Sequence, residues 1–316
     1  MGFDVSALTN YTIQNEKLLV TKSLFDAKTQ SVIQSAGNVM AGVKSAETIN
    51  VLTSDAVFQT GGTCGFNSSG STAFTQRTVT VGKFKVHESL CPKTLEAKYT
   101  QLALAAGSIY EAMPFEKQYT DLKAGIIAEQ LEIALWLGDT SSADVNKNKF
   151  DGLAKLIDAS GVAIAGNTTS ITAATGITAA NALTIVKNIK NAIPARVKGK
   201  KDVRIWCGWD AFDALIDGFV NANYFNYGAS QLAYQDGEFT IPGTAYKVTA
   251  VHGLDGSNRL FALRDSNIYM GCDILGEEDK WEIFYAKEAM EVRFVSEWKL
   301  GVNVAFPNEI VQFTLA

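Results

Sequence analysis

The residues best equipped for chemistry are few and far apart. Histidine occurs twice, as His87 and His252, and each falls in a different predicted strand. A nucleophile–histidine pair needs a serine or cysteine presented beside the imidazole, yet no Gly-x-Ser-x-Gly elbow or similar context accompanies either. The cysteines Cys64, Cys91, Cys207 and Cys272 are scattered, with no Cys-x-x-Cys pair, so spaced zinc ligands are missing. They are expected to be reduced, buried and inert. Glu129 and Glu132 share a helix face and could pose as an acid/base pair, but paired carboxylates on an exposed strut are ordinary surface charge. The glycine-rich stretch GGTCGFNSSG lacks the Gly-Lys-Ser/Thr ending and following helix of a phosphate cradle. Glu277-Glu278-Asp279 has no calcium-loop spacing around it and reads as a solvated turn. Asn67-Ser68-Ser69 and Asn167-Thr168-Thr169 match the glycosylation pattern, which has no meaning without export. No catalytic residue, cofactor site or metal site is therefore expected.

The composition sets the frame for what remains. A chain of 316 residues, 47% hydrophobic and 19% charged, has ample material for a core, in one large domain or two smaller ones. The formal charge of -5 and pI near 5.2 argue against tight electrostatic binding of nucleic acid, which draws its affinity from clustered Lys and Arg. Lys198, Lys200 and Lys201 make too small a basic cluster to alter this. No run approaches the roughly 20 apolar residues that span a bilayer. The N-terminus MGFDVSALTNYTIQNEKLLV has no basic flank with an apolar core, so synthesis in the cytosol is expected.

The elements are more distinctive than the chemistry. The first forty or so residues have no strong period and read as an arm laid on other structure. Thr48 to Leu52 reads as a strand, residues 59–72 as a Gly/Ser-rich tip, and 76–90 as the returning strand. Val79 and Val81 share one face of that return, whereas Phe84 and Val86 take the other parity. Gly82 sits at the switch, where a bulge would re-aim the strand. An isolated two-stranded ribbon is marginal in water, so this hairpin must lie on its own domain or on a neighbouring subunit.

Next, Pro114 suits a first helical position. Tyr119, Ile127, Leu131 and Leu135 recur at helical spacing, with Gln118, Asp121, Gly125, Glu129 and Glu132 on the polar face. Gly138 follows Leu137 where a left-handed C-cap would sit. The spacing predicts a helix over about 114–137, roughly 35 Å long. Thr178 can cap a second helix that Pro194 ends. VRIWCG (203–208) then reads as a strand, and WDAFDALIDGF as a helix, giving a compact α/β subdomain. The last third is rich in strands, and no internal repeat is visible.

This order of elements resembles the major capsid proteins of tailed bacteriophages, the Hong Kong 97 fold. The residues that carry it are TCGFNSSGSTAFTQRTVTV with KVHESLCPKTLE, MPFE at the start of the long helix, WLGDT followed by FDGL, and VRFVSEWKLGVNVAFPNEIVQF. TCGFN, CPKTLE and the GD-to-FDGL segment look particularly like capsid proteins of phages infecting gut Bacteroidales, the crAss-like group. The resemblance implies an α+β fold with an N-terminal arm (1–45), an extended hairpin loop (46–92), a peripheral domain with a spine helix (93–177), an axial domain (178–270) and closing peripheral strands (271–316). It implies inter-subunit contact by Phe66, Phe74, Arg77, Val79, Val81, Phe84 and Val86 of the hairpin. It implies a spine and turn built from Ile127, Leu131, Trp136, Gly138, Asp139, Phe150 and Gly152.

The implied function is a non-enzymatic shell subunit that forms hexamers and pentamers in an icosahedral head, assembled in the host cytoplasm and residing in the virion. Implied partners are scaffolding, portal and decoration proteins and packaged double-stranded DNA held without sequence specificity. No membrane partner is implied. No long charged helical segment precedes the arm, so scaffolding is expected as a separate protein or as a part already removed. Lys83 and Lys85 read as solubilising residues rather than cross-linking ones. An encapsulin shell on the same fold is the alternative, and an enzyme or a surface adhesin lies further off.

Overall fold

The computed structural model describes residues 27–61, 65–66, 68–91, 116–166, 176–222, 237–241, 243–274 and 282–315. The chain enters through a short helix, α1 (Lys28–Ser35), and a two-residue strand, β1 (Val39–Met40). The hairpin follows, with β2 (Ala46–Ser54) antiparallel to β3 (Thr72–Thr80), in register from Ala46 opposite Thr80 to Ser54 opposite Thr72. Its base is anchored because Ile49, Val51 and Val79 fall on one face and pack with Ala305 of the body. Alternation along a strand sends Leu52 and Phe74 to the opposite face.

The expected single returning strand over 76–90 is two strands. β3 stops at Thr80, and β4 (Gly82–Leu90) leaves the hairpin to pair antiparallel with β12 (Glu291–Val304). Gly82 permits the exit by close approach: a Cβ there would lie 2.3 Å from the Lys149 carbonyl oxygen. The parity change read at Gly82 is thus a change of sheet, and no bulge is needed to explain it.

The long helix α2 (Glu116–Leu137) ends where the spacing predicts; the expected start at Pro114 lies outside the described residues. Its 22 residues span roughly 33 Å. Ile127, Leu131, Ala134, Leu135 and Trp136 are buried in one core with Phe150 and the facing strands. A polar loop leads back to α3 (Leu153–Ser160). Gly138 is not in the left-handed region, contrary to the expected cap. It continues the helical pattern through its amide to the Ala134 carbonyl at 2.9 Å, and glycine is required there for space.

Two sheets complete the body. In the first, Leu300 of β12 faces both Gly82 of β4 and Cys272 of β10 (Ile268–Cys272), which places β4 and β10 on opposite edges of β12. β11 (Glu282–Ala286) pairs with the other end of β12, and β1 adds in parallel to β10. The second sheet has the order β5-β13-β9-β6-β8-β7, formed by β5 (Ile164–Ala165), β6 (Val203–Cys207), β7 (Glu238–Thr240), β8 (Lys247–Ala250), β9 (Leu260–Arg264) and β13 (Val311–Phe313). The sheet of the expected 178–270 segment is therefore completed by β5 and β13, from outside it.

Helices α4 (Ala182–Ala192) and α5 (Trp209–Asn221) cover one face of this second sheet. The period of two divides its strands between two cores. Val203, Ile205 and Cys207, with Leu260 and Ala262, face α4 and α5. Trp206, Phe261 and Leu263 face α2. Trp136 is the hinge of that contact, with ring centroids 5.4 Å from Trp206 and 5.6 Å from Phe261.

Candidate functional site

Among the described residues no group of three or more His, Cys, Asp or Glu side chains is placed to hold a metal ion. His252 meets Asp255 at 2.7 Å and stacks on Trp209, and His87 meets Glu297 at 3.2 Å. Cys207 and Cys272 are buried as expected, whereas Cys91 is exposed. Burial pushes the Cys207 thiol far up, so it is held as the thiol. Cys64, Asn67, Asn167 and the run 277–279 lie outside the described residues.

Among the described residues the three most exposed large apolar side chains, Phe58, Phe66 and Phe74, stand on the hairpin. Phe58 is 99% exposed, Phe66 92%, Phe74 77% and Leu52 56%. Leu52 and Phe74 stand directly opposite each other across the two strands, so their side chains form one apolar patch on the outward face. Val57, beyond the end of β2, is exposed as well. Leu52 is not singled out from the sequence, because which residues of β2 share a face with Phe74 depends on a register that the long tip does not fix.

The other predicted hairpin residues lie at the base or on the body. Val79 and Val81 are buried within the chain, Val79 against Ile49 and Val51. Arg77 reaches the Asn303 side chain at 3.4 Å. Phe84 and Val86 belong to β4 and so correct the hairpin assignment. Phe84 stacks on Trp298 with centroids 5.2 Å apart and meets Phe150 edge-on at 5.8 Å, and Val86 packs against the same core.

The spine and turn residues come together. Gly138 and Gly152 touch through backbone, while Ile127, Leu131, Trp136 and Phe150 share a core. Lys155 closes the polar loop above them, its ammonium 2.6 Å from Asp139 and 2.7 Å from Asp151. The amide and hydroxyl of Thr140 also donate to Asp151 at 2.9 Å. Hydrogen bonding to Lys155 holds the Asp139 carboxyl below its ordinary range. For Asp151, burial pushes upward but the bonds from Lys155 and Thr140 outweigh it.

Glu132 departs most from expectation. Placed on the polar face by spacing, it is 0% exposed and accepts hydrogen bonds from the backbone and hydroxyl of Thr29. A helical stripe read from sequence registers one neighbour, but the last turns of α2 are also covered by α1, whose apolar signal is weak.

No family model matches the chain, and no curated protein matches it. Solved structures do match along nearly its whole length. The capsid of Myoviridae phage XM1 superposes with a TM-score of 0.62 at 12% identity, covering 97% of this chain and 98% of that one. The Gordonia phage Cozz structure gives 0.59 at 11% identity, covering 96% and 92%. The capsid of cyanophage P-SCSP1u gives 0.58 at 13% identity, covering 100% and 95%. The chain therefore has the α+β, Hong Kong 97-like capsid fold.

Proposed function

We propose that this chain is the non-catalytic structural subunit of a tailed-bacteriophage capsid, self-assembling into the hexamers and pentamers of an icosahedral head. The observation that carries the reading is the exposed apolar hairpin on a body of this fold. Phe58, Phe66, Phe74 and Leu52 present apolar area that a soluble monomer has no reason to display, and an isolated ribbon of this kind gains stability by lying on another surface. In this reading the β2–β3 hairpin, residues 46–80, is the extended loop over a neighbouring subunit, 93–177 carry the spine, and 178–270, with β5 and β13 added to its sheet, is the axial domain. Phe66 and Phe74, joined by Leu52 and Phe58, make the inter-subunit contact. The net charge of -5 suits a wall that encloses double-stranded DNA without gripping it. Scaffolding, portal and decoration proteins are the expected partners, and the virion is the destination after assembly in the host cytoplasm.

Electron microscopy of the protein expressed alone, and with the scaffold gene adjacent to its own, tests the proposal. Closed shells or five- and six-fold rings are expected. Dispersed monomers in both preparations would refute it, and shells enclosing a peroxidase or ferritin-like cargo would point to an encapsulin instead.

A further inference from the structure

The two helices that cover the second sheet divide its charge between them. α4 packs on β13 and α5 on β8, so each lies toward a different edge of the sheet. Residues 178–201, which hold α4 and the turn into β6, carry Lys187, Lys190, Arg196, Lys198, Lys200 and Lys201 and no acid. α5 carries Asp210, Asp213 and Asp217 and no Lys or Arg. All of these side chains are exposed except the half-buried Lys190.

Little of this charge serves the chain's own fold. The helices are seated by Ile185, Val186 and Ile189 and by Phe212, Leu215 and Phe219. Lys190 in the last turn of α4 and Asp210 in the first turn of α5 suit the helix dipoles, but the other charges are not so placed. Lys187 and Lys190 repel each other along one helix, as do Asp213 and Asp217 along the other. The nearest opposite charges in sequence are committed elsewhere. Asp158 and Asp202, the acids on either side of the basic segment, pair with Arg259 and Arg264. Arg204 holds Glu238 and Asp265, and Lys247 acts on Glu238. Among the described residues no ion pair joins α4 to α5. Charge segregated in this way gives the lone subunit no stability and favours association with a complementary surface.

We propose that the basic α4 side of one copy docks on the acidic α5 side of the next, in a head-to-tail contact between the domains built on the second sheet. The partner is a second copy because each side is the other's electrostatic complement, whereas nucleic acid would leave α5 without a partner. Asp213 and Asp217 lie about one helical turn apart, as do Lys187 and Lys190, so two ion pairs form at matching spacing when the helices lie side by side. Val220, 42% exposed and one turn beyond Asp217, adds apolar area to the contact. Two unlike sides make the contact heterologous, so its rotation either closes into a ring or runs on as an open chain. The inference rests on the shell reading for the closed five- and six-membered rings.

Charge reversal in the full chain, read by sedimentation velocity and electron microscopy, tests the contact. Asp213→Lys with Asp217→Lys makes both sides basic, and Lys187→Glu with Lys190→Glu makes both acidic. Each two-site variant should lose the rings and shells of the wild type while its circular dichroism is unchanged, because the positions lie at the surface. The two mixed in equal amounts should regain rings of even number only, because unlike copies must alternate around them. The chain with all four reversals should assemble as the wild type does. Rings from either two-site variant alone, or no recovery in the mixture and in the four-site chain, overturn the contact and leave the capsid reading standing. Binding of the wild type to a short DNA duplex, lost in a Lys187→Glu, Lys190→Glu variant that still assembles, assigns the basic side to nucleic acid and overturns it too. Open head-to-tail chains of wild type that the reversals abolish and mixing restores would uphold the contact and refute the closed shell. Dispersed subunits in every preparation, wild type included, overturn both.

Discussion

The amide of Gly152 donates to the carbonyl of Gly138 at 2.9 Å, and neither position has room for a side chain. A Cβ on Gly138 would lie 2.5 Å from the Ala134 carbonyl oxygen, and one on Gly152 2.6 Å from the Gly138 amide nitrogen. These neighbours are backbone and cannot swing aside. The chain leaves the spine at one glycine and returns at the other because two bare backbones are the only way to bring α2 and α3 so close. Gly138→Ala and Gly152→Ala should each cost about 2–3 kcal/mol through overpacking. The urea midpoint of each variant checks this, and a wild-type value would show that the contact relaxes freely.

The two faces of the hairpin should respond differently to the same chemistry. Leu52 and Phe74 are exposed partners across the strands, whereas Val79 on the other face is fully buried. Leu52→Ser combined with Phe74→Ser should leave subunit stability within about 0.5 kcal/mol of wild type while abolishing shells. Val79→Ser should instead lower subunit stability by about 2–4 kcal/mol. Denaturation curves paired with sedimentation separate these outcomes, and intact shells from the double variant would remove the hairpin face from the assembly argument.

Much of this arrangement was legible in the sequence because it rests on local signals. The stripe of Ile127, Leu131 and Leu135, the alternation of Val79 and Val81, and the glycine pair at 138 and 152 all announce their elements. What was hidden depends on partners distant in sequence. Nothing near Glu132 indicates that Thr29 will bury it. Nothing near Phe84 indicates that it will leave the hairpin and stack on Trp298. Gly82 marked where the parity changed, but only the register against β12 reveals that the change is one of sheet.

The loop above the glycine pair is tied by charge. Asp139 and Asp151 are held below their ordinary pKa by Lys155, so their contribution is present above the ordinary carboxylate range and lost as pH falls below about 4. Lys155→Met should raise the pH at which acid unfolding begins, and the difference from wild type should shrink in 1 M salt, where exposed pairs are screened. Acid titrations followed by circular dichroism at low and high salt test this. An unchanged acid midpoint would mean that the loop is held by its Thr140 hydrogen bonds alone.

Arg204 is the most demanding ion pair in the second sheet, because it satisfies two carboxylates from a largely buried position. Its Nη1 donates to Glu238 at 2.5 Å and to the Thr249 hydroxyl at 2.7 Å, and its Nε lies 3.2 Å from both Asp265 oxygens. Burial already pushes the Asp265 carboxyl up despite this arginine. For Glu238 the upward push of burial is overcome by the charges of Arg204 and Lys28, and its pKa is depressed. Arg204→Met would keep the packing over Trp206 and strand two carboxylates, costing about 2–3 kcal/mol at pH 7.5. The wild type loses the Glu238 contribution as pH falls through that group's depressed value, while the variant has none to lose and is relieved as its carboxyls take up protons. The stability gap should therefore narrow on acidification, visible as converging urea midpoints between pH 7.5 and 4. A gap that stays constant over that range would show that Arg204 contributes through packing rather than through charge.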